Sequence, residues 1–264
     1  MSKYEQDILN TVNLHGRVSV MDLARILQVS DQTVRRIVKP MVEDGRLSKV
    51  HGALVSTRNV LDPPFMARMM QNRAAKVAIA NAVAARIPDG AAVAIDTGST
   101  SGFVAQALRA RKELTVVTNS AYIAAILAME EGNRVFMAGT QLRNHDGAAF
   151  DRAAYDVIAS VSVETAVLSA SLVHPSHGFM VFDQCEADMA AAMKDAAGQT
   201  FMAVDSTKFS DPGANPALRL PELSANDLII TDRTPPPAFQ DFPSPAELLI
   251  AEVSEQSDSG RSHS

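Results

Sequence analysis

The apolar residues of the first fifteen positions, Tyr4, Ile8, Leu9 and Val12, repeat at close to helical spacing, and His15-Gly16 stops the run. A second helical stripe follows at Val20, Leu23, Ala24 and Leu27, with Ser19 placed to cap it and Asp22 in its first turn. After Gln28-Val29-Ser30 a third stripe runs Val34, Ile37, Val38, Met41, Val42, spaced i, i+3, i+4, i+7, i+8. Pro40 lacks an N–H and crowds the carbonyl of Arg36, so the third helix is expected to kink or end there. Beyond Gly45 the pattern changes: RLSKVHGALV alternates and turns near His51-Gly52, which predicts a β-hairpin.

Pro63-Pro64 breaks the chain next. A helix with an apolar stripe at Ala74, Val77, Ala78, Ala82 and Val83 then runs to Pro88-Asp89-Gly90. From there short β-rich runs alternate with helical stretches: 91–95, 114–117, 134–138, 165–169, 201–204, 227–231 and 247–253. That is the signature of an α/β fold with a mostly parallel sheet. The expected organisation is a winged helix-turn-helix head at 1–57, a linker at 58–73, an α/β body at 74–253 and a polar, disordered tail at 254–264. Met66, Met69 and Met70 are expected to pack the linker helix.

Charge sharpens this division. The chain of 264 residues carries a net charge of -6, yet Met1 to Arg58 holds nine Lys/Arg and six Asp/Glu, a net of +3. A basic head on an acidic body suits a small nucleic-acid-reading module joined to a part that does something else. With Cys185 alone, no internal disulfide can form. The absence of a long apolar run or signal-peptide layout completes the expectation of a cytoplasmic protein with no membrane partner.

In a helix-turn-helix the second helix enters the major groove with its N-terminal residues against the bases. The expected DNA-contacting residues are Ser30, Gln32, Thr33, Arg35, Arg36 and Lys39 on that helix, and Lys49 and His51 on the wing; Arg46 is also available to phosphates. Gln pairs with adenine and Arg with guanine or phosphate. In the body, ligands of parallel sheets bind at the carboxyl ends of the strands. Those tips read Asp96-Thr97-Gly98-Ser99-Thr100, Thr118-Asn119-Ser120, Gly139 to Arg143, and Asp205 to Lys208. Small hydroxyl side chains and amides at helix starts suit a small phosphorylated ligand. Neither dinucleotide nor P-loop spacing is present. His174-Pro175-Ser176-His177 is not a zinc spacing, so no metal and no cofactor are expected.

The segment SVMDLARILQVSDQTVRRIVKPMVEDGRLSKVHGALV resembles the winged-helix head of the DeoR family of bacterial transcription regulators, whose pattern runs V-S-x-x-T-[IV]-R-R-D-L and later R-x-H-G-G-A. Ile37, Pro40, Lys49 and "HGAL" depart from it. The body is similar to that family's effector domain in DTGST, VVTNS, the G-x-x-x-R of Gly139 to Arg143, and DSTKF, over roughly Lys76 to Val253; SASLVHP (169–175) departs. The resemblance implies a body related to the ribose-5-phosphate isomerase/CoA transferase fold that senses phosphorylated sugars. Carried over, Asp96, Thr97, Gly98, Ser99 and Thr100 form a phosphate loop, Thr118, Asn119 and Ser120 flank the sugar, Gly139 and Arg143 belong to the pocket, Lys208 reaches the ligand, and Asp183 and Glu186 face its hydroxyls. It further implies a repressor of a sugar-catabolism operon that binds operator double-stranded DNA; because one winged helix buries less than the roughly 1,000–2,500 Å² of a specific interface, a homodimer or homotetramer is expected. The alternative is a phosphosugar isomerase or transferase carrying a DNA-binding head, with Lys208, Asp183 and Glu186 as acid-base groups.

Overall fold

A computed structural model describes residues 3–15, 17–44, 46–50, 52–56, 65–209, 217–239, 242 and 244–253. His51, the first part of the expected linker (58–64) and the 254–264 tail lie outside the described residues. The chain divides into two compact units, Met1–Gln71 with Arg143–Ala148, and Asn72–Leu142 with Ala149–Ser264.

The first unit is built from α1 (Lys3–His15), β1 (Arg17–Ser19), α2 (Val20–Leu27), α3 (Asp31–Glu43), β2 (Leu47–Val50), β3 (Ala53–Ser56) and α4 (Phe65–Met70). The anticipated hairpin is β2 and β3, paired Lys49 to Leu54, and β1 adds a third strand on the far side of β3. Ile8, Val12, Leu23, Val34, Val38, Met41 and Leu54 form its core. Apart from Leu54 of β3, these are stripe residues of the three helices, so each stripe marks a buried face, although Tyr4 at the start of the first is exposed. The third helix does not end at Pro40: α3 continues to Glu43. Arg36 and Pro40 are both exposed, so water can serve the Arg36 carbonyl that lacks its usual donor. In α4, Phe65 and Met69 are buried, while Met66 and Met70 are exposed.

The second unit runs α5 (Arg73–Ala84), β4 (Ala92–Ile95), α6 (Ser99–Leu108), β5 (Thr115–Thr118), α7 (Ala121–Leu127), β6 (Arg134–Met137), α8 (Arg152–Ala159), β7 (Val163–Leu168), β8 (Leu172–His174), β9 (Gly178–Val181), α9 (Gln184–Asp195), β10 (Ala197–Ala203), β11 (Leu218–Arg219), β12 (Leu228–Thr231) and β13 (Glu247–Ile250). All seven expected strand runs join one sheet in the order β13-β12-β10-β7-β4-β5-β6, and every pairing in it is parallel. The inner strands are mostly buried, β10 only over its second half, and the two edge strands are not. That burial on both faces is why the inner strands read as continuous apolar runs.

Two features differ from the sequence-based expectation. β8 and β9, from the stretch that begins at the departing SASLVHP, form a second, antiparallel sheet with the distant β11, in the order β11-β9-β8. The buried face of α5 is also rotated: Lys76, Ile79, Ala80 and Val83 are buried, whereas Ala74 is exposed and Val77 is 40% exposed. α5 packs against α6 as well as β10 and β12, so more than one side of it is covered. A stripe counted on apolar letters alone misses the buried Lys76. Among the described residues no helix is long and apolar enough to cross a membrane.

Candidate functional site

The head presents its polar chemistry on the outer side of α3. Ser19 caps α2 by accepting from the amide of Asp22 at 3.0 Å, and its hydroxyl donates to Asp22 Oδ2 at 2.7 Å. Gln28 takes a left-handed conformation (φ 54°, ψ 43°) to close the helix, and Ser30 then caps α3 by accepting from the Thr33 amide at 3.2 Å. The Ser30 and Thr33 hydroxyls sit 2.9 Å apart, so both side chains are partly engaged in the cap. With Val34, Val38 and Met41 turned inward, Gln32, Arg35, Arg36 and Lys39 are left exposed.

Arg35 and Lys39 of α3 and Lys49 of β2 line one groove of about 330 Å³, with Val20, Val38, Val42 and Glu43 completing its wall. Lys39 approaches Glu43 at 4.0 Å across a well-exposed pair, which leaves its ammonium largely hydrated. Arg46 departs from the expectation of a phosphate contact. Its guanidinium pairs with Glu5 at 3.4 Å and Asp44 at 3.2 Å, holding the start of the wing to the helices.

In the second unit the parallel sheet brings the candidate loops to one edge. β4 and β10 both neighbour β7, so the loop at Thr97 and the loop at Lys208 leave the same sheet edge two strands apart, about 10 Å. Gly98 immediately precedes α6, and Ser99, Thr100 and Ser101 are buried in its first turn. The first amides of a helix have no intrahelical acceptor, so this turn offers donors to an anion. A Cβ on Gly98 would lie 2.0 Å from Ser169 Oγ, so only glycine lets this turn meet the end of β7.

Asp96 takes a different role from the one expected. Its carboxylate accepts the Ser169 amide at 2.7 Å and the Ser169 hydroxyl at 3.0 Å, and also the Ser101 hydroxyl. An acceptor-only anion cannot bond a phosphate oxygen, and here it ties the ends of β4 and β7 to the start of α6. Thr118 and Ser120 are likewise engaged: Thr118 Oγ1 donates to the Ile95 carbonyl at 2.7 Å, and Ser120 caps α7. Asn119 is fully buried. Its Nδ2 donates to the Ala149 carbonyl at 3.1 Å, while its Oδ1 has no partner among the described residues.

Buried side-chain oxygens without a partner among the described residues recur along this edge, at Thr97 Oγ1 after β4, Asn119 Oδ1 after β5, Asp205 Oδ2 after β10 and Thr231 Oγ1 ending β12. Such groups are costly to leave unbonded, and their concentration at one edge marks a place for a polar ligand. Asp232 is buried there too, accepting the Ser206 amide at 2.6 Å and hydroxyl at 3.0 Å. Lys208 ends the 3-10 turn Ser206–Lys208 and is half-buried. Sequence reading named the tip from Asp205 to Lys208 but gave Asp205 no role of its own, and it did not single out Thr231 or Asp232. Their signal is polarity directly after a buried apolar strand.

Gly139 has a φ of 102°, and a Cβ there would meet Ala149 Cβ at 2.3 Å. Its neighbours are held by Asp151, which was not anticipated. Asp151 Oδ2 accepts the Thr140 hydroxyl at 2.7 Å and the amides of Thr140 and Gln141 at 2.9 and 2.8 Å, and Oδ1 caps α8. The Thr140 hydroxyl first, then these amides, hold its carboxyl well below the usual range. Arg143 departs from its expected role. It falls in the stretch grouped with the first unit, and its guanidinium pairs in two places with Asp146, through Nε at 3.1 Å and through Nη2. Burial alone would raise the Asp146 pKa, but the Arg143 hydrogen bond and charge outweigh it and the net shift is downward.

Asp183 and Glu186 sit at the start of α9, which follows β9 of the small sheet rather than a strand of the parallel one. His174 and His177 stack at 4.4 Å across the β8–β9 turn, with Arg219 Nη2 2.8 Å from His177 Nδ1. Among the described residues no three His, Cys, Asp or Glu side chains gather as a metal site would require.

Two family models match the chain. Residues 5–60 match the DeoR-like helix-turn-helix domain, and residues 71–233 match the DeoR C terminal sensor domain. The chain is 30% identical over 229 residues to the glycerol-3-phosphate regulon repressor of Escherichia coli (strain K12), covering 87% of this chain and 90% of that one. It is also 30% identical over 233 residues to the HTH-type transcriptional repressor CsqR of the same organism, covering 88% of each. Among solved structures, ribose 5 phosphate isomerase A from Neisseria gonorrhoeae aligns at 16% identity with a TM-score of 0.40, covering 55% of this chain and 56% of that one. With a helix-turn-helix match over its first residues and a sensor-domain match over most of the rest, the chain belongs to the DeoR family of transcription regulators.

Proposed function

We propose that this protein is a transcriptional repressor whose α3 and wing bind operator DNA, and whose sheet edge binds a phosphorylated sugar that lowers operator affinity. The observation that carries the reading is the set of buried oxygens without a partner among the described residues after β4, β5 and β10 and at the end of β12, on the same end of the sheet as the first turn of α6. A phosphate on that turn and sugar hydroxyls against Asn119 and Asp205 would supply the missing bonds. Thr97, Ser99, Thr100, Asn119 and Lys208 are the proposed ligand contacts. Asp96, Gly98, Thr118, Ser120 and Gly139 shape the edge, and Asp183 and Glu186 are proposed to face the ligand from α9. Arg143 is left out because Asp146 engages it.

For DNA, Gln32, Arg35 and Arg36 are proposed to read bases or phosphates, with Lys39 and Lys49 on phosphates. The groove shared by Arg35, Lys39 and Lys49 supports this. The names of the two relatives support repression over catalysis. One winged helix covers less than the roughly 1,000–2,500 Å² of a specific DNA interface, so a dimer or tetramer on repeated half-sites is part of the proposal. The ligand must favour one conformation of that assembly over another to switch it.

The test is a separation of losses. Genomic fragments selected by the purified protein serve as DNA probes, and thermal shifts with a phosphosugar panel identify the ligand. Arg35→Ala with Arg36→Ala is expected to weaken DNA binding while the ligand shift persists. Ser99→Ala with Lys208→Ala is expected to abolish the ligand response and spare DNA binding. Loss of both activities in either variant sinks the assignment, and turnover of a phosphosugar by the wild type favours an enzyme instead.

A further inference from the structure

The chain passes from the first unit to the second between Gln71 and Asn72. Asn72 stands at the start of α5 in the left-handed region, at φ 50° and ψ 37°. Asparagine tolerates that conformation better than most residues. It also occupies the position whose side chain ordinarily caps the helix, yet it makes no such cap. Its amide is used elsewhere. One hydrogen is directed at Asp205 Oδ1 at 3.1 Å and the other at Thr207 Oγ1 at 2.9 Å, across more than 130 residues of sequence. Its carbonyl meanwhile accepts the amide of Lys76 in the first turn of α5 at 3.0 Å.

Asp205 is held on one side only. Oδ1 accepts Asn72 Nδ2, the Thr207 amide at 3.2 Å and the Thr207 hydroxyl. Oδ2 is buried with no partner among the described residues. The Asp205 carbonyl accepts the amide of Lys208, the proposed ligand contact, at 3.0 Å. A donor arriving at Oδ2 draws on the same charge that holds Oδ1 to Asn72. Asn72, Thr207 and Asp232 also line a cavity of about 390 Å³ with Arg73 and Arg233, which leaves the turn room to move.

We infer that Asn72 is a positioning residue, a clasp joining the start of α5 to the Asp205–Lys208 turn, and that satisfying Asp205 Oδ2 opens it. The inference rests on the proposed effector site and adds its route: a ligand donor at Oδ2 frees the point where the chain leaves the first unit.

Hydrogen exchange on the full-length protein without ligand tests the clasp directly. Asn72→Gly keeps the left-handed backbone accessible and removes only the side chain. It is expected to speed exchange at 205–208 by roughly threefold to tenfold, the size of one or so lost hydrogen bonds. Thr207→Val is expected to speed exchange at 73–77, on the opposite side of the clasp, and Thr207→Ser to restore it. Asp205→Asn, which turns one carboxylate oxygen into an amide, is expected to loosen 73–77 as ligand would. Effects confined to each variant's own segment would overturn the clasp, and unchanged exchange at 73–77 in Asp205→Asn would overturn its opening. The effector reading fails separately: glycerol 3-phosphate, fructose 6-phosphate and ribose 5-phosphate would all leave exchange at 97–101 of the wild type unchanged, while the ligand-free variants still decide the clasp.

Discussion

Within 3–56, the buried side chains described are apolar, and the polar groups that matter face water. The second unit buries polar side chains as well, beside its apolar core. It buries Ser99, Thr100, Ser101, Thr118, Asn119, Ser120, Asp205, Thr231 and Asp232, all at or just after the carboxyl ends of its strands. The difference follows from the kind of partner each suits. A duplex is too large to enclose and is met by exposed cations, whose attraction is long-ranged and salt-dependent. A small phosphorylated molecule can be enclosed, so its groups meet donors and acceptors already taken out of water, where each bond is worth more. Substitutions should therefore differ in kind between the units: sharp structural effects in the second, graded ionic effects in the first.

The largest effect is expected at Gly98. Alanine would set its Cβ 2.0 Å from Ser169 Oγ and 3.0 Å from Ser169 Cβ, with Ser101 Oγ at 3.3 Å. Ser169 cannot withdraw freely, because its amide and hydroxyl both bind Asp96. Overpacking of this sort costs on the order of 1–3 kcal/mol. Gly98→Ala should lower the unfolding midpoint and raise hydrogen exchange across 95–102 and 168–170, with residues 31–43 unaffected. An unchanged midpoint would show that the loop yields, and the rigid half of the comparison would go with it.

What the sequence makes legible follows the same divide. In the head, helix stripes, caps at Ser19 and Ser30 and the hairpin are local patterns, and all of them form. The seven strand runs were legible because inner parallel strands are short and apolar throughout. Long-range polar partnerships were not. Nothing near Asn72 in sequence announces Asp205, and nothing near Arg46 announces Glu5. The burial of Lys76 was hidden because a face count treats every lysine as solvent-facing. Asp151 had a local signal, an aspartate directly before the helical RAAYDVIA, but its hold on Thr140 was not part of it.

Asp151 offers a smaller effect with a sign in pH. Its folded pKa is depressed below the ordinary carboxylate value of 3.8, chiefly by the Thr140 hydroxyl. A group shifted that way adds stability that is present above the unfolded pKa and is lost as pH falls toward the folded one. Asp151→Asn removes the charge and turns an N–H₂ toward donors. The variant should therefore melt below the wild type at neutral pH, and the gap should narrow as the solution is acidified below about pH 4, with the pKa of an ordinary aspartate setting the onset. Faster exchange at Thr140 and Gln141 should accompany it. A gap that stays constant into strong acid would mean that lost packing, not the carboxylate, sets the difference.

The smallest effect on the fold, and the cleanest test of the ionic half, belongs to Lys39. Its side chain is 77% exposed and its approach to Glu43 is long at 4.0 Å. An exposed pair of this kind contributes roughly 0–1 kcal/mol, so Lys39→Ala should leave the unfolding midpoint within error of the wild type. Yet Lys39 shares its groove with Arg35 and Lys49. If it sits on a phosphate, its removal should lower the slope of log affinity against log salt by about 0.9, with no change in which sequence is preferred. Arg35→Ala should behave differently, relaxing sequence preference as well, because guanidinium can pair with a base edge where ammonium on a phosphate cannot discriminate. A salt slope unchanged in Lys39→Ala would place that lysine off the duplex and confine the DNA-reading surface to the first turns of α3.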